Sequence, residues 1–371
     1  HLNPVISLSS RIGVEKQQCN QKVFRDWSNP ADALRFLRCK EIAPRIRGRV
    51  AVIGAGPAGL TAAGSLICEG VEVDVYDMLP EAGGLLLFGI PEFRIPKKSV
   101  REGVKELVEK GVYFHLGKKV YDSEVFDVDF REIVERYDAT LIATGAWEPR
   151  RLNVEGEGLK GIFHAAPYIV KYYLTKFGYS PPSSLPSLGA SVAVIGAGLT
   201  AVDSALLALE IGVKEVSLVY RRTRREAPAG EKELKMLEEK GVKIVELKAP
   251  VGFKGEDGRV REMITIDIKL GPPDKSGRPS PTPVPGSEKA FEVDSVIVAT
   301  GGLSTPPFKK HSDRIRVAED GRIIVDDKRR TSWKGVFAAG DVESGPSLIG
   351  PALKSGLIAA ESIKEYLVKR V

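Results

Sequence analysis

Val50-Ala51-Val52-Ile53-Gly54-Ala55-Gly56-Pro57-Ala58-Gly59 decides how this chain is read. Four apolar, mostly β-branched residues predict a buried parallel strand, and residues 60–69 predict a helix. Gly54, Gly56 and Gly59 spell G-x-G-x-x-G. The first glycine permits a tight turn, the second lets backbone approach a pyrophosphate, and the third lets helix pack on strand; the helix N-terminus favours the anionic phosphates. The next apolar run, residues 71–76, ends at Asp77, an acid placed to accept a hydrogen bond from a ribose hydroxyl. Strand, helix and acid together turn a short motif into a dinucleotide-binding signature.

The pattern returns at residues 189–201 as a strand, G-x-G-x-x-A and a helix, with Gly196, Gly198, Leu199, Thr200 and Ala201 at the turn. Its second strand, residues 215–220, has no closing acid; Arg221, Arg222, Arg224 and Arg225 stand there instead. Guanidinium groups at that point suit the 2′-phosphate of an NADP nucleotide, although a solvated basic turn would have the same composition. Each half also closes on an Ala-Thr-Gly turn, at Ala143-Thr144-Gly145 and at Ala299-Thr300-Gly301. The chain therefore reads as an α/β protein holding the same half twice, as two Rossmann-like dinucleotide-binding domains. Residues 1–48 form an N-terminal appendage with a short amphipathic helix at 30–37.

Between these landmarks, residues 80–97 combine Leu and Phe with Gly and Pro, the composition of a wall beside a flat ring. A helix is expected at 99–110, a strand at 112–115 and a turn at Gly117, with Val120 just after it. Residues 259–270 and 290–300 read as strands, and the Pro-, Gly- and Ser-rich residues 271–286 as a surface loop. A final strand ends in Gly340-Asp341; after a turn to Gly350-Pro351 a helix runs from Ala352 to 367, with proline at its first position. Its N-terminus is suited to an electron-rich ring edge.

The 371 residues, 43% hydrophobic and 28% charged, suffice for two or three domains. Residues 192–213 are long enough to resemble a membrane span, but Asp203 and the glycine turn favour strand-turn-helix. The N-terminus has no apolar h-region, so no secretory leader is expected. Cys19, Cys39 and Cys68 form no C-x-x-C pair, so neither a zinc site, a dithiol redox centre nor a disulfide framework is indicated, and Cys68 reads as a buried apolar residue. That usage fits a cytoplasmic protein. The net charge of +6 admits an acidic partner such as a ferredoxin, but reads more simply as a mixed-charge soluble surface. Nothing suggests nucleic acid or membrane as a partner. Glutamine at only three positions and asparagine at only four, with abundant Lys and Glu, hint at a thermophile. His115 and His164 lack partners at motif spacing and read as structural, and Glu92 and Lys97 as surface groups or as charges able to tune a redox ring.

Taken together, these motifs resemble those of the two-dinucleotide-binding flavoproteins, and most of all the glutamate synthase small (β) subunit and its relatives; adrenodoxin-reductase-type ferredoxin–NADP reductases are more distantly similar. The stretch from Gly83 through Gly84-Leu85-Leu86-Leu87-Phe88-Gly89-Ile90-Pro91-Glu92-Phe93-Arg94-Ile95-Pro96 to Lys97 matches the family's flavin-side loop. Tyr220-Arg221-Arg222-Thr223-Arg224 matches its NADPH motif, and Gly340-Asp341 the motif that touches the ribityl chain. The resemblance implies FAD on the first fingerprint and NADP(H), or NAD(H), on the second, with a discontinuous FAD domain, residues 49–150 and 302–371, and the nicotinamide-nucleotide domain, residues 151–301, inserted in it. It implies that Gly54, Ala55, Gly56, Pro57, Ala58 and Gly59 hold the pyrophosphate, Asp77 the adenosine ribose, and the Val120 backbone the adenine. Gly84, Leu85, Gly89 and Arg94 would lie near the flavin, together with the first Ala-Thr-Gly turn. Gly340 and Asp341 would meet the ribityl or phosphate region, and Gly350, Pro351 and Ala352 the pyrimidine edge. Gly196, Gly198, Leu199, Thr200, Ala201, Arg221 and Arg222 would serve the nicotinamide nucleotide. Leu199 stands where the family often has Asn. Relatives of the glutamate synthase type carry cysteine groups for [4Fe–4S] clusters before the first fingerprint; Cys19 and Cys39 are too few, so no iron–sulfur cluster is expected in this chain. The implied activity is hydride transfer between nicotinamide and flavin with no catalytic side chain, and onward electron transfer to a protein partner or other acceptor. The alternative is a non-catalytic FAD-binding scaffold or sensor subunit of a larger redox complex. The missing C-x-x-C disfavours a thioredoxin reductase.

Overall fold

The computed structural model describes residues 35–122, 127–274, 277–309 and 314–370. The expected helix at 30–37 lies mostly outside them, as does Cys19; residues 35–39 are not helical. They cross the first helix at Gly64, where a Cβ would overlap the Phe36 carbonyl. The chain divides into two compact units, His1–Glu148 with Gly302–Val371, and Pro149–Gly301.

The first unit begins with β1 (Arg49–Ile53), α1 (Pro57–Ile67) and β2 (Glu72–Asp77). The short α2 (Leu85–Phe88) and the amphipathic α3 (Lys97–Glu109) follow, then β3 (Tyr113–Leu116), α4 (Phe130–Arg136) and β4 (Ala139–Ile142). α4 starts where the Asp129 side chain accepts the Arg131 and Glu132 N–H groups, an N-cap that satisfies donors the helix itself leaves open.

The second unit supplies β5 (Ile162–His164), α5 (Ala165–Lys176), β6 (Ser191–Ile195), α6 (Leu199–Glu210), β7 (Glu215–Tyr220), α7 (Glu231–Glu239) and β8 (Lys243–Glu246). An antiparallel layer follows, of β9 (Lys248–Glu256), β10 (Arg259–Pro273), β11 (Pro279–Pro283) and β12 (Lys289–Glu292), before β13 (Ser295–Val298) closes the unit. The chain then re-enters the first unit for β14 (Val336–Ala338), α8 (Asp341–Ser344) and the long α9 (Ile349–Arg370).

Two five-stranded parallel sheets result, ordered β14-β4-β1-β2-β3 and β8-β7-β6-β13-β5. Each places its fingerprint strand in the centre, where apolar side chains are buried on both faces. The duplication extends to single atoms. A Cβ on Gly54 would overlap the Ala143 carbonyl, and one on Gly196 would meet the Ala299 carbonyl, so in both units the first fingerprint glycine packs against the Ala-Thr-Gly turn. Gly54 N donates to Tyr76 O (2.7 Å) and Gly196 N to Val219 O (3.0 Å), again at equivalent places.

Three readings need correction. Residues 271–286 are not a plain surface loop: β10 continues to Pro273 and turns back as β11. Pro279, Pro281 and Pro283 alternate along β11, so their missing donors all face one side, while Val284 N still donates to Asp267 O (2.8 Å). An edge strand tolerates proline on those terms. Residues 290–300 are two strands in different sheets, because Asp294 breaks the run to accept the Ala190 and Ser191 N–H groups (2.7 and 3.0 Å). Finally, Cys68 is not a free apolar residue but forms a disulfide with Cys39, tying the segment before β1 to the end of α1. Three cysteines without local spacing gave no sign of that pair, since the contact is tertiary. Residues 192–213 form β6, the glycine turn and α6, and among the described residues no helix is long and apolar enough to cross a membrane.

Candidate functional site

In the first unit, β1 runs into a glycine turn with three distinct jobs. Gly54 has φ +113°, a backbone conformation that side chains disfavour. A Cβ on Gly59 would overlap the Gly54 carbonyl, so helix and turn touch through backbone. Gly56 has ordinary dihedrals, and a Cβ there would meet nothing within 4 Å. It is open because it faces a cleft of about 460 Å³. Asp77, at the end of β2, folds its carboxylate back onto the turn: Oδ2 accepts from Ala55 N (2.6 Å) and Oδ1 from Leu79 N (2.8 Å). Burial pushes its pKa up to about 6, with both N–H donors pulling it down.

Residues 83–97 form one side of the cleft. Gly83 N donates to Ala55 O (2.8 Å), and a Cβ on Gly84 would sit 2.9 Å from Gly56 Cα, so this segment docks directly on the fingerprint. Leu86, Leu87 and Phe88 are buried in α2. Lys97 is not a surface group: it is 2% exposed, and its Nζ donates to Leu86 O (2.7 Å) and to Ile90 O. An ammonium spanning two carbonyls near the end of α2 answers the negative end of that short helix. His115 has a structural setting, with Nε2 2.9 Å from Asp74 Oδ1 and its ring stacked on Tyr76 at 4.2 Å.

The other side of the cleft comes from the C-terminal return. α9 crosses α1 where a Cβ on Gly356 would overlap the Ala58 carbonyl. Ser355 Oγ accepts from Gly340 N (3.1 Å), locking the turn that precedes α8. As a result the first residues of α1 (Pro57, Ala58) and of α9 (Ile349, Ala352) line the same cleft, and neither first turn contains an acid that would oppose an anion. Asp341 also lines it; burial raises its carboxyl, and Ser347 Oγ and N, at 3.0 and 3.2 Å, pull the other way.

Of the residues singled out from sequence, Gly54, Gly56, Pro57, Ala58, Asp77, Gly84, Leu85, Val120, Ala143, Thr144, Gly145, Gly340, Asp341 and Ala352 are brought together as cleft lining. Ala55, Gly59, Gly89, Arg94, Gly350 and Pro351 are not part of it; Arg94 instead lies over the Phe93 ring. Sequence reasoning missed Tyr76, Lys118, Trp147 and the segment 303–308. Thr305 explains the last of these: its N donates to Gly145 O (3.1 Å), and its O accepts from Thr144 Oγ1 (2.7 Å). That contact spans 161 residues, and no local motif announces it.

In the second unit, Gly198 caps α6, and a Cβ there would meet nothing within 4 Å, the counterpart of Gly56. Ala201 is fully buried against the turn, where a methyl fits in place of a third glycine, and Thr200 is exposed. At the end of β7 the arginines divide. Arg221 is exposed, but Arg222 is 1% exposed and committed to Asp274 and Pro279, so it does not stand open to solvent as the motif suggests.

Two central glycine fingerprints, one closed by a buried acid and the other by arginines, define a two-dinucleotide-binding flavoprotein. The fit to FAD rests on this geometry: a glycine open to the cleft, two acid-free helix N-termini and a long lining from both parts of the unit. A family model for pyridine nucleotide-disulphide oxidoreductases matches residues 48–356, and the chain belongs to that family. It is 37% identical over 323 residues to the "Glutamate synthase [NADPH] small chain" of Azospirillum brasilense, covering 85% of this chain and 66% of that protein. It is 38% identical over 323 residues to the "NADP(+)-dependent formate dehydrogenase subunit beta" of Moorella thermoacetica, covering 86% of this chain and 44% of that one. The chain thus spans two thirds or less of the length of these two relatives. Among solved structures, Mycobacterium tuberculosis FprA in complex with NADPH is similar in fold, with a TM-score of 0.70 at 22% identity, covering 87% of this chain and 85% of that one.

Proposed function

We propose that the chain is an FAD-dependent NADPH oxidoreductase that transfers reducing equivalents between nicotinamide and flavin and exchanges electrons with a protein partner in a larger redox assembly. One observation carries this reading: two units that share four strands in the same order, β4-β1-β2-β3 and β13-β6-β7-β8, differ at the one place that selects the nucleotide, where Asp77 turns back on its glycine loop and Arg221 does not. Backbone N–H groups of Gly56, Ala58 and Gly59, at the N-terminus of α1, would hold the FAD pyrophosphate on a turn shaped by Gly54, Ala55 and Pro57, and Asp77 would accept the ribose hydroxyl. Val120 would meet adenine, and Gly84, Leu85, Gly89 and Arg94 would lie on the flavin side. Gly340 and Asp341 would hold the ribityl region, and residues 350–352 would bring the α9 N-terminus to the pyrimidine edge. Gly196, Gly198, Leu199, Thr200, Ala201 and the arginine segment would receive NADPH.

Bound FAD supplies hydride acceptance and electron release, so no protein acid or base is assigned to the step. The chain's residues fix position and field, and the N-terminus of α9 favours negative charge on a reduced ring. Both relatives are named as parts of larger enzymes, which supports a partner subunit. A cytoplasmic setting is compatible with the Cys39–Cys68 disulfide if the source is a hyperthermophile, where intracellular disulfides occur. The test is anaerobic mixing. The purified, yellow protein should be bleached by NADPH, and faster than by NADH. A yellow protein that neither nucleotide bleaches would sink the enzyme reading in favour of a flavin-binding scaffold. Mass analysis of copurifying chains identifies the partner.

A further inference from the structure

The Gly340-Asp341 turn lines the cleft, and it is held from behind by side chains that do not. Gly340 has φ +77°, and a Cβ there would sit 3.0 Å from the Ala58 Cβ, so the turn abuts the start of α1. Its N–H donates to Ser355 Oγ (3.1 Å) on α9, and Ser355 Oγ donates in turn to Glu343 Oε1 (2.8 Å) on α8. The direction is forced. A carboxylate only accepts, so Ser355 gives its one proton to Glu343 and presents its lone pairs to Gly340. On the other side of the turn, Asp341 O accepts from Ser304 Oγ (2.5 Å).

The Glu343 side chain is only 10% exposed, and a second carboxylate, Asp341, shares the first turn of α8 with it. The counter-charge comes from Arg329, whose Nε is buried, makes no hydrogen bond and lies 3.6 Å from Glu343 Oε1. Arg329 approaches from the turn before β14 with φ +62°, a left-handed conformation that residues with a side chain seldom adopt. Its carbonyl accepts from Ala338 N (3.0 Å), which ties it to the strand leading into Gly340. A strained residue, an ion pair largely shielded from water and a directed hydroxyl thus meet at one peptide N–H, and strain of this kind is kept where the surroundings over-determine it.

We infer that Arg329, Glu343 and Ser355 form a positioning chain that sets the Gly340 peptide against the ribityl portion of the flavin. This rests on the FAD reading above. Flavin placement then depends on an ion pair outside the cleft. Asp77 and the backbone of residues 54–59 make no hydrogen bond to the three side chains, so the grip on the adenosine diphosphate half is separate from the chain.

That separation is the test. FAD and ADP are titrated into the full-length protein stripped of its flavin, FAD by the quenching of its fluorescence and ADP by calorimetry. Visible circular dichroism of the reloaded protein reports the setting of the ring. Ser355→Ala is expected to weaken FAD about tenfold and to change the dichroism, with ADP binding unaltered. Arg329→Met is expected to do the same, and Arg329→Lys, which keeps the charge on the same backbone, to restore the wild-type values. A Ser355→Ala protein with wild-type FAD affinity and dichroism overturns the chain. Variants that lose ADP as much as FAD overturn the positioning role and leave a purely structural one. An Arg329→Lys protein as weak as Arg329→Met overturns the part of the counter-charge. A wild-type protein that binds ADP but not FAD overturns the FAD reading itself.

Discussion

Gly56 and Gly59 sit three residues apart and answer to different demands. At Gly59 a methyl would overlap the Gly54 carbonyl, whereas at Gly56 it would project into the open cleft. Gly59→Ala is expected to lower stability by about 1–3 kcal/mol and to release flavin. Gly56→Ala should keep the melting temperature of the ligand-free protein and lose flavin occupancy alone. Melting curves with and without FAD check both, and a Gly56→Ala protein with full occupancy would move the pyrophosphate elsewhere. Asp77 makes a pH prediction. With its pKa raised by burial to about 6, its proton binds the folded chain more tightly than the unfolded one. Its contribution to stability without ligand is therefore complete below the ordinary carboxylate value and is lost as pH rises through about 6. A ribose hydroxyl favours the charged form, so flavin affinity should run the other way, strongest above about pH 6 and weakening below it. Flavin retention that is flat between about pH 8 and about pH 5 would remove Asp77 from the ribose. The glycine turn and the place of Asp77 beside it were legible because both follow from spacing along one strand and one turn. Arg222 was misjudged because its partners, Asp274 and Pro279, lie more than fifty residues away.

Among the elements, α2 and its flanks depend on Lys97. Lys97→Met would leave the buried Leu86 and Ile90 carbonyls without that donor, at about 1–3 kcal/mol each. The expected result is a lower melting temperature together with weaker flavin binding, since this segment docks on Gly56. Calorimetric unfolding with and without FAD checks it, and an unchanged protein would show that the loop holds its shape by apolar packing alone. Gly356 does the same service for α9. Its substitution by Val would force α9 away from α1 and out of the cleft wall, and should cost both stability and flavin. The parallel strands and long helices were legible from apolar runs bounded by glycine. The β11 strand was not, because proline content reads as loop. Only the register, with every proline on alternate positions, shows that a strand can accommodate them.

Across the molecule, the duplication was the most legible feature, since two fingerprints and two Ala-Thr-Gly turns stand in the sequence. The Cys39–Cys68 pair was the least legible. It closes a loop of 29 residues in sequence separation, and a chain-entropy estimate for that length is about 3–4 kcal/mol. Cys39→Ser should lower the unfolding free energy by roughly that much while leaving flavin bound, as denaturant titration would report; an unchanged midpoint would mean the disulfide adds no constraint. Such a staple and the scarcity of Asn and Gln point the same way, and a midpoint in the ordinary mesophile range would count against a thermophilic source. The sheet order has one more consequence, in time rather than space. β4 takes β14 as its neighbour, yet the whole inserted unit is made between Ile142 and Val336. At ribosomal rates of roughly 5–20 residues per second, the edge of β4 waits on the order of 10–40 s for its partner. The inserted unit, Pro149–Gly301, meanwhile emerges as one uninterrupted segment of chain. The nascent chain is thus set to complete its inserted unit first and the unit that carries the cleft last, with an open apolar edge as the interval's hazard.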